Sequence, residues 1–384
     1  MTAVSRIVGV RARVSVLILG ATATLLAAES RADPELHWYR GNTHVHTLNS
    51  DGNATPDAVA RWYREHGYQF LVITDHEYLT NVSGLNDMLA AAGKFLIIQG
   101  EEVTQNVTDP RRGGAVLLAH VNGIGVQRLV HAMGDAYLGG IARMAPAGTP
   151  IGTTLARNIQ EIRGAGGIAQ VNHPNSEWSI TPGDLQNVTG WFLLEVMNPG
   201  SNDLGGTDDS GAVGLSTEEL WDALLSRGQI VWGVGSDDCH DFHEVAGVEI
   251  SLSEKAWIAV RAKELSKEAI MQAIARGDFY ASNGVELEDV SSDAHDISLR
   301  IQARTAPANI PPPATRYMTR FIGQGGRVLA SIAGLTPRYH LRGDEHYVRA
   351  VVTDSNGKRA WTQPVFAGRT SGPRRTRPPA RRLQ

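Results

Sequence analysis

Phe70-Leu71-Val72-Ile73-Thr74-Asp75-His76 runs four apolar residues straight into a polar triplet. A short run of that make-up reads as a buried strand, so the triplet sits where the strand stops. The arrangement recurs on both sides. Phe95-Leu96-Ile97-Ile98 leads into Gln99-Gly100-Glu101-Glu102, Val116-Leu117-Leu118-Ala119 into His120, and Ile168-Ala169-Gln170-Val171 into Asn172-His173-Pro174. Ile230-Val231-Trp232-Gly233-Val234 leads into Ser236-Asp237-Asp238-Cys239-His240, and Phe192-Leu193-Leu194-Glu195-Val196 is a further run of the same kind. Amphipathic stretches separate the strands. Thr55 to Gly67 has Pro56 at the first helical position and Gly67 as its stop; Thr154 to Gly164 and Thr217 to Gly228 are similar. This alternation predicts an α/β fold with a parallel sheet over residues 33–285. Six or seven such units suit a distorted barrel, with an open doubly wound sheet as the alternative. In a barrel the carboxyl ends of the strands share one face, so the polar clusters converge there.

From about residue 286 the texture changes to strand-like alternation, as in Ile297-Ser298-Leu299-Arg300-Ile301 and Tyr347-Val348-Arg349-Ala350-Val351-Val352. Pro311-Pro312-Pro313 and Ser355-Asn356-Gly357-Lys358 interrupt it, and Asn-Gly is a hairpin signal. Residues 286–368 are therefore expected to form a small all-β C-terminal domain. The tail 369–384 holds six Arg and no acid and has the composition of a disordered basic segment. At the other end, Arg6, Arg11 and Arg13 precede an apolar run from Val14 to Ala28 and then Ser30-Arg31-Ala32. That is the pattern of a signal peptide over residues 1–32, cleaved near Ala32. The apolar run is short for a span, which needs about 20 residues, so no stable membrane insertion is expected after cleavage. The expected location is secreted or periplasmic. The chain's one cysteine, Cys239, excludes an internal disulfide.

The net charge of -4 includes that basic tail, so the body is more acidic than the total suggests. A nucleic-acid partner is not expected of it. Thirteen His in an acidic body point instead to metal binding. The candidate ligands are His44, His46, Asp51, His76, Glu102, His120, His173, Asp238 and His240. His44 and His46 are two apart, as are Asp238 and His240, and on a strand such pairs point to one side. Imidazole with carboxylate suits zinc, manganese or iron better than calcium. Nine ligands exceed the needs of one ion, so two or three divalent ions with a bridging carboxylate are expected.

Gly41-Asn42-Thr43-His44-Val45-His46-Thr47 with Ser50-Asp51-Gly52 resembles the first motif of the polymerase-and-histidinol-phosphatase (PHP) superfamily. Ile73-Thr74-Asp75-His76 is similar to its second motif, Gly100-Glu101-Glu102 to its Gly-x-Glu motif, and Gly235-Ser236-Asp237-Asp238-Cys239-His240 to its closing motif. Gly166-Gly167 with Asn172-His173-Pro174, and the segment Tyr347 to Phe366, resemble the branch that contains the carbaryl hydrolases. The resemblance implies a distorted (β/α)7 barrel over residues 38–285 with up to three metals. It implies one ion on His44, His46, Glu102 and Asp238, a second shared through Glu102 with His120 and His173, and a third on Asp51, His76 and His240. Gly-x-Glu spacing favours Glu102 over Glu101, and the closing motif favours Asp238 over Asp237, which would orient a ligand.

The expected chemistry is metal-assisted hydrolysis of a small-molecule substrate, with a phosphoester first. Bound ions lower the pKa of water towards about 7 and neutralise charge developing on phosphoryl oxygens. Asp238 or His240 would carry the proton to the leaving group. Asn175 and Trp178 would line the pocket, and Glu195 would face either the site or a structural salt bridge. The alternatives are a carbamate, ester or amide bond cleaved on the same site, and a metal-binding interaction module without catalysis. The sequence leaves the oligomeric state open.

Overall fold

The computed structural model describes residues 35–90, 94–136, 141–191, 193–201, 205–207, 213–242, 255–293, 295–304 and 315–366. The expected leader 1–32, the turn at Pro311–Pro313 and the tail 369–384 lie outside the described residues. Among the described residues no helix is long and apolar enough to cross a membrane.

The apolar runs form strands β1 (His37–Asn42), β2 (Phe70–Ile73), β3 (Leu96–Asp109), β4 (Ala115–Ile124), β5 (Ile168–Val171), β6 (Leu193–Met197) and β7 (Trp232–Gly235). β2 is buried at every position, which is why it reads as an unbroken apolar run rather than an alternating one. The helices between them bury one face each. α1 (Pro56–Glu65) starts on Pro56 and turns Val59, Ala60 and Tyr63 inward. α2 is Ser83–Leu89. α3 (Ile151–Gly164) buries Ile151, Leu155, Ile159 and Ile162, each worth roughly 1.5–3 kcal/mol of removal from water. α4 (Thr217–Ser226) begins in a capping box: Ser216 accepts from the Glu219 amide while Glu219 reaches back to the Ser216 amide.

The protein is mixed α/β, built on one large sheet, but that sheet is not uniformly parallel. β1–β2–β3 and β5–β6–β7 pair in parallel, whereas β4 is antiparallel to both β3 and β5. β3 overruns the mouth of the sheet, turns at Pro110–Arg112 and Gly113, and returns as β4. The double reversal leaves β1, β2, β3, β5, β6 and β7 pointing the same way. Their carboxyl ends still share one edge.

The ladder is also not closed. β8 (Trp257–Ala262) pairs antiparallel with β1 and takes the edge that closure with β7 would need. Among the described residues, the segments that follow β7 and β1 meet at the mouth through the parallel bridge Val45–Cys239. There the His46 amide donates to the Cys239 carbonyl and the Asp238 amide to the His44 carbonyl, both at 3.0 Å. Apolar runs alone do not tell an antiparallel closing strand from a parallel one.

After α5 (Lys267–Arg276) and β9 (Phe279–Ser282), β10 (Leu287–Ser292), β11 (Asp296–Ile301), β12 (Tyr317–Gly323), β13 (Arg327–Ala333), β14 (Arg338–His340), β15 (Tyr347–Asp354) and β16 (Arg359–Thr362) follow. The main sheet runs β7-β6-β5-β4-β3-β2-β1-β8-β9-β16-β15-β12-β13. It therefore crosses position 285 without a break. β10-β11-β14 forms a separate antiparallel sheet, and Leu287, Ile297, Leu299 and Tyr339 pack with Phe321, Val348, Ala350 and Val352 in one core. The Asn356-Gly357 turn joins β15 to β16, with Gly357 at φ 81 and the Asp354 amide donating to the Lys358 carbonyl at 2.8 Å.

Candidate metal centre

All nine candidate ligands meet at the mouth. Their donor atoms fall into three groups, each within 4.8 Å: His44, His46, Glu102 and Asp238; Glu102, His120 and His173; His46, Asp51, His76 and His240. Glu102 is the hub of the first two, and His46 belongs to both the first and third.

Local structure explains how each arrives. His44 and His46 follow β1 in an extended segment, with their ring centroids 5.1 Å apart. Asp75, fully buried just after β2, holds the loop that carries Asp51. Its carboxylate accepts from the Thr47 amide (2.7 Å), Ser50 Oγ (2.9 Å) and Thr80 Oγ1 (2.5 Å). At Gly52 a Cβ would lie 2.8 Å from the His46 carbonyl and the Thr47 amide nitrogen, so that turn demands glycine. At Gly100 a Cβ would lie 2.7 Å from Val72 and 3.0 Å from the Ile73 carbonyl, which accounts for glycine just before Glu101 and Glu102. His120 does not follow a strand end as its sequence predicts. It sits within β4, opposite Thr104 of β3, and reaches the mouth because the hairpin brings it back.

Glu101 points away from Glu102. It is buried, its Oε2 accepts from the Val130 amide at 2.8 Å, and burial pushes its carboxyl up to about 8. Asp237 Oδ1 accepts from the Lys255 and Ala256 amides (2.8 and 2.9 Å) and its Oδ2 from Tyr63 Oη (2.9 Å), tying β8 and α1 to the end of β7.

Five imidazole nitrogens converge on the one Glu102 carboxylate. Glu102 Oε2 lies 3.2 Å from His44 Nε2, 3.3 Å from His46 Nε2 and 3.0 Å from His76 Nδ1. Its Oε1 lies 3.2 Å from His120 Nδ1 and 3.4 Å from His173 Nε2. The second nitrogens fix how several imidazoles are used. His240 Nδ1 must donate to the Asp238 carbonyl (2.9 Å), so a neutral ring turns its Nε2 lone pair on Asp51 Oδ1 at 3.3 Å. His44 Nδ1 bonds Glu195 Oε1 at 2.7 Å, leaving Nε2 facing Glu102 and Asp238 Oδ1 (3.1 Å). His120 Nδ1 and His173 Nδ1 are buried without a hydrogen bond among the described residues.

A lone pair facing a carboxylate oxygen repels it unless a proton or a metal cation lies between them. Two donors about 2.1 Å from one ion stand roughly 3.0–3.4 Å apart, which matches the spacing here. The residues fit divalent ions. Burial opposes the charged form of His44, yet Asp238, Glu102 and Glu195 hold it well above its ordinary value, so the carboxylates around that ring draw a cation, proton or metal, into the cluster. Burial likewise opposes the Glu102 carboxylate, but His44 and His76 hold it well below. At His120 burial wins and pushes the imidazole down to about 4, leaving it neutral, the form that binds a metal. His173 and Asp238 also have positive φ, 23° and 48°. Such backbone costs on the order of 1–3 kcal/mol in a non-glycine residue and clusters at functional sites.

Sequence reasoning missed several supporting residues. Asn172 Nδ2 donates to Glu102 Oε1 at 2.9 Å, and Asn198 Nδ2 donates to Asp238 Oδ2 at 3.1 Å and to Glu195 Oε2 at 3.0 Å. Their signal was a buried amide at or just past the end of an apolar strand. Asn175 and Trp178 line a cavity of about 320 Å³ with Arg112, Ile180, Leu215 and Leu220, in the turn just after His173.

No family model and no curated protein matches the chain. Among solved structures it is similar to a two-domain protein from Bacteroides vulgatus containing a predicted PHP-like metal-dependent phosphoesterase. That match has 14% identity over 83% of this chain and 90% of that one, with a TM-score of 0.44. A putative metal-dependent phosphoesterase from Bifidobacterium adolescentis aligns at 14% identity, covering 52% and 87% of the two chains, with a TM-score of 0.37. An amidohydrolase from Chromobacterium violaceum aligns at 18% identity with the same coverages and a TM-score of 0.33. At this distance these likenesses assign the chain no activity.

Proposed function

We propose that this chain is a multi-metal hydrolase of the PHP type, acting first on phosphoesters. The observation that carries the reading is the ring of imidazole nitrogens and carboxylate oxygens, 3.0–3.4 Å apart around Glu102. When bound, divalent zinc, manganese or iron would supply a nucleophile at neutral pH and charge neutralisation for the transferring group.

The chain's own residues then divide the work. His44, His46, Glu102 and Asp238 would hold one ion, Glu102, His120 and His173 a second, and Asp51, His76 and His240 a third. The inner ligands are sealed, with His44, His46 and Glu102 fully buried, while Asp51 and His240 side chains are 29% and 30% exposed. Substrate therefore approaches on the Asp51–His240 side. There His240 keeps its Nδ1 proton on the Asp238 carbonyl, which orients Nε2 toward the third ion, and Asp238, its side chain 17% exposed, would pass a proton to the leaving oxygen. A phosphoryl group suits this face because several cations would surround its oxygens.

In this reading the open ladder joined by the Val45–Cys239 bridge is a distorted relative of the (β/α)7 barrel, and residues 286–368 are an appended β-module. The leader and a secreted or periplasmic location belong to the same proposal and rest on the sequence pattern of residues 1–32. Intact mass of the exported protein tests that part, with cleavage after Ala32 expected.

The test of function is metal analysis with turnover on purified protein spanning residues 33–384, on p-nitrophenyl phosphate mono- and diesters beside an aryl carbamate. Two or three metals per chain, and phosphoester turnover lost in His44→Ala and His240→Ala, are expected. Carbamate turnover alone would transfer the reading to a C–O or C–N bond. Protein that retains no metal would overturn it.

A further inference from the structure

Glu195 is fully buried at the centre of β6, and its carboxylate is saturated. Oε1 accepts from His44 Nδ1 (2.7 Å), Gln170 Nε2 (3.1 Å) and Ser236 Oγ; Oε2 accepts from the His173 amide (2.6 Å) and Asn198 Nδ2 (3.0 Å). The same Asn198 Nδ2 donates to Asp238 Oδ2 at 3.1 Å. One carboxylate thus touches a ligand ring and the backbone of a second ligand residue, and it reaches the side chain of a third through one amide. The second and third, His173 and Asp238, are the two candidate ligands with positive φ.

We propose that Glu195 is the positioning residue of this centre, fixing the His44 tautomer and clamping the turns that carry His173 and Asp238 into a single frame. This rests on reading the site as a metal centre. An imidazole that donates Nδ1–H to a carboxylate presents Nε2 as a bare, more basic donor atom, and its ring cannot swing. The amide bond at His173 and the Asn198 relay to Asp238 hold two left-handed turns that would otherwise relax to commoner backbone angles. Because these arms leave from one side chain in the layer beneath the ligands, the three groups keep a common geometry. Glu195 touches no reacting atom; it acts through His44, His173 and Asp238.

Glu195→Gln keeps the shape but brings an N–H donor against the donors of either His44 or His173. Zinc(II) and manganese(II) affinity, measured by chelator competition, is expected to fall 10–100-fold in this variant. In zinc-loaded wild type, ¹⁵N NMR is expected to show His44 protonated on Nδ1 alone, and in the variant that signature is lost. Wild-type protein that binds no metal overturns the metal reading and the proposal with it. Wild type that binds metal beside a Glu195→Gln protein that binds it equally well overturns the proposal alone. Should Glu195→Gln fail to fold, Asn198→Ala cuts the relay to Asp238, along with the Gly200 amide bond to Asn198 Oδ1, and leaves Glu195 on His44 and His173. Weakened metal affinity there supports the frame, and unchanged affinity overturns it.

Discussion

Arg349 grips Asp222 with two hydrogen bonds, Nε to Oδ1 at 2.8 Å and Nη2 to Oδ2 at 2.7 Å, and both residues are buried. The pair joins β15 to α4, far apart in sequence. Tyr347 Oη adds a third bond to Asp222 Oδ1 at 2.8 Å, and the guanidinium lies 4.8 Å from the Trp221 ring centre. Planar, two-pronged pairing of this kind is what Arg offers and Lys does not. Arg349→Met removes the cation while leaving Asp222 buried. Breaking one side of a buried pair costs about 3–5 kcal/mol, so the urea midpoint should fall by a matching amount. A shift below about 1 kcal/mol would show that the Arg349–Asp222 pair adds little to the hold of the strands after residue 286 on α4.

Glu218, one turn before Asp222, adds an acid-sensitive element to the same join. Its Oε2 accepts from Arg349 Nη1 and Nη2 at 3.3 Å and its Oε1 from Arg359 Nη1 at 3.1 Å. Burial would raise its carboxyl, but Arg349 and Arg359 hold it below the ordinary 4.5. A depressed folded-state pKa gives stability that is fully present above the unfolded value and lost as pH falls through the folded one. Stability should therefore drop from about pH 4.5 downward, and Glu218→Gln should flatten that part of the profile. Equal slopes in wild type and variant across that window would remove Glu218 from the account.

The Ser50-Asp51-Gly52 turn invites a smaller change. An Ala Cβ at position 52 would sit 2.8 Å from backbone atoms of His46 and Thr47, and backbone cannot move aside as a flexible side chain can. Overpacking of this kind costs about 1–3 kcal/mol. Gly52→Ala should melt earlier and bind less metal, because the displaced segment carries both His46 and Asp51. A variant with unchanged metal content would mean that the turn tolerates the shift without disturbing either ligand.

The strands and their terminal ligands were legible because both are local signals. An apolar run followed by Asp, His or Glu needs no knowledge of its neighbours, and the resemblance of Gly100-Glu101-Glu102 and Asp238-Cys239-His240 to known motifs separates Glu102 from Glu101 and Asp238 from Asp237. What stayed hidden depends on pairing. His120 was placed after a strand because Val116 to Ala119 is the apolar part of β4, while the strand runs on to Ile124. Asp109-Pro110 and Gly113-Gly114 were turn signals for the reversal, but they do not say which way the next strand runs. Closure failed for the same reason: β8 looks like any other apolar run until its antiparallel partner β1 is known. Glu195 read equally as a site residue and as a salt bridge, and it bonds to His44 within the site.

Metal loading should appear first as stability. Glu102 and Glu195 are completely buried and the Asp238 side chain is 17% exposed, among imidazoles that favour a cation between them. An ion that binds only the folded chain stabilises it by mass action, by about 2.7 kcal/mol at 100 times its Kd. Protein stripped with a chelator should melt below protein supplied with zinc or manganese, and the gap should grow with the logarithm of metal concentration. His44→Ala removes a ligand of the first group and should shrink the gap. If the melting temperature of wild type ignores metal from micromolar to millimolar, the cluster holds protons rather than ions, and the hydrolase reading loses its foundation.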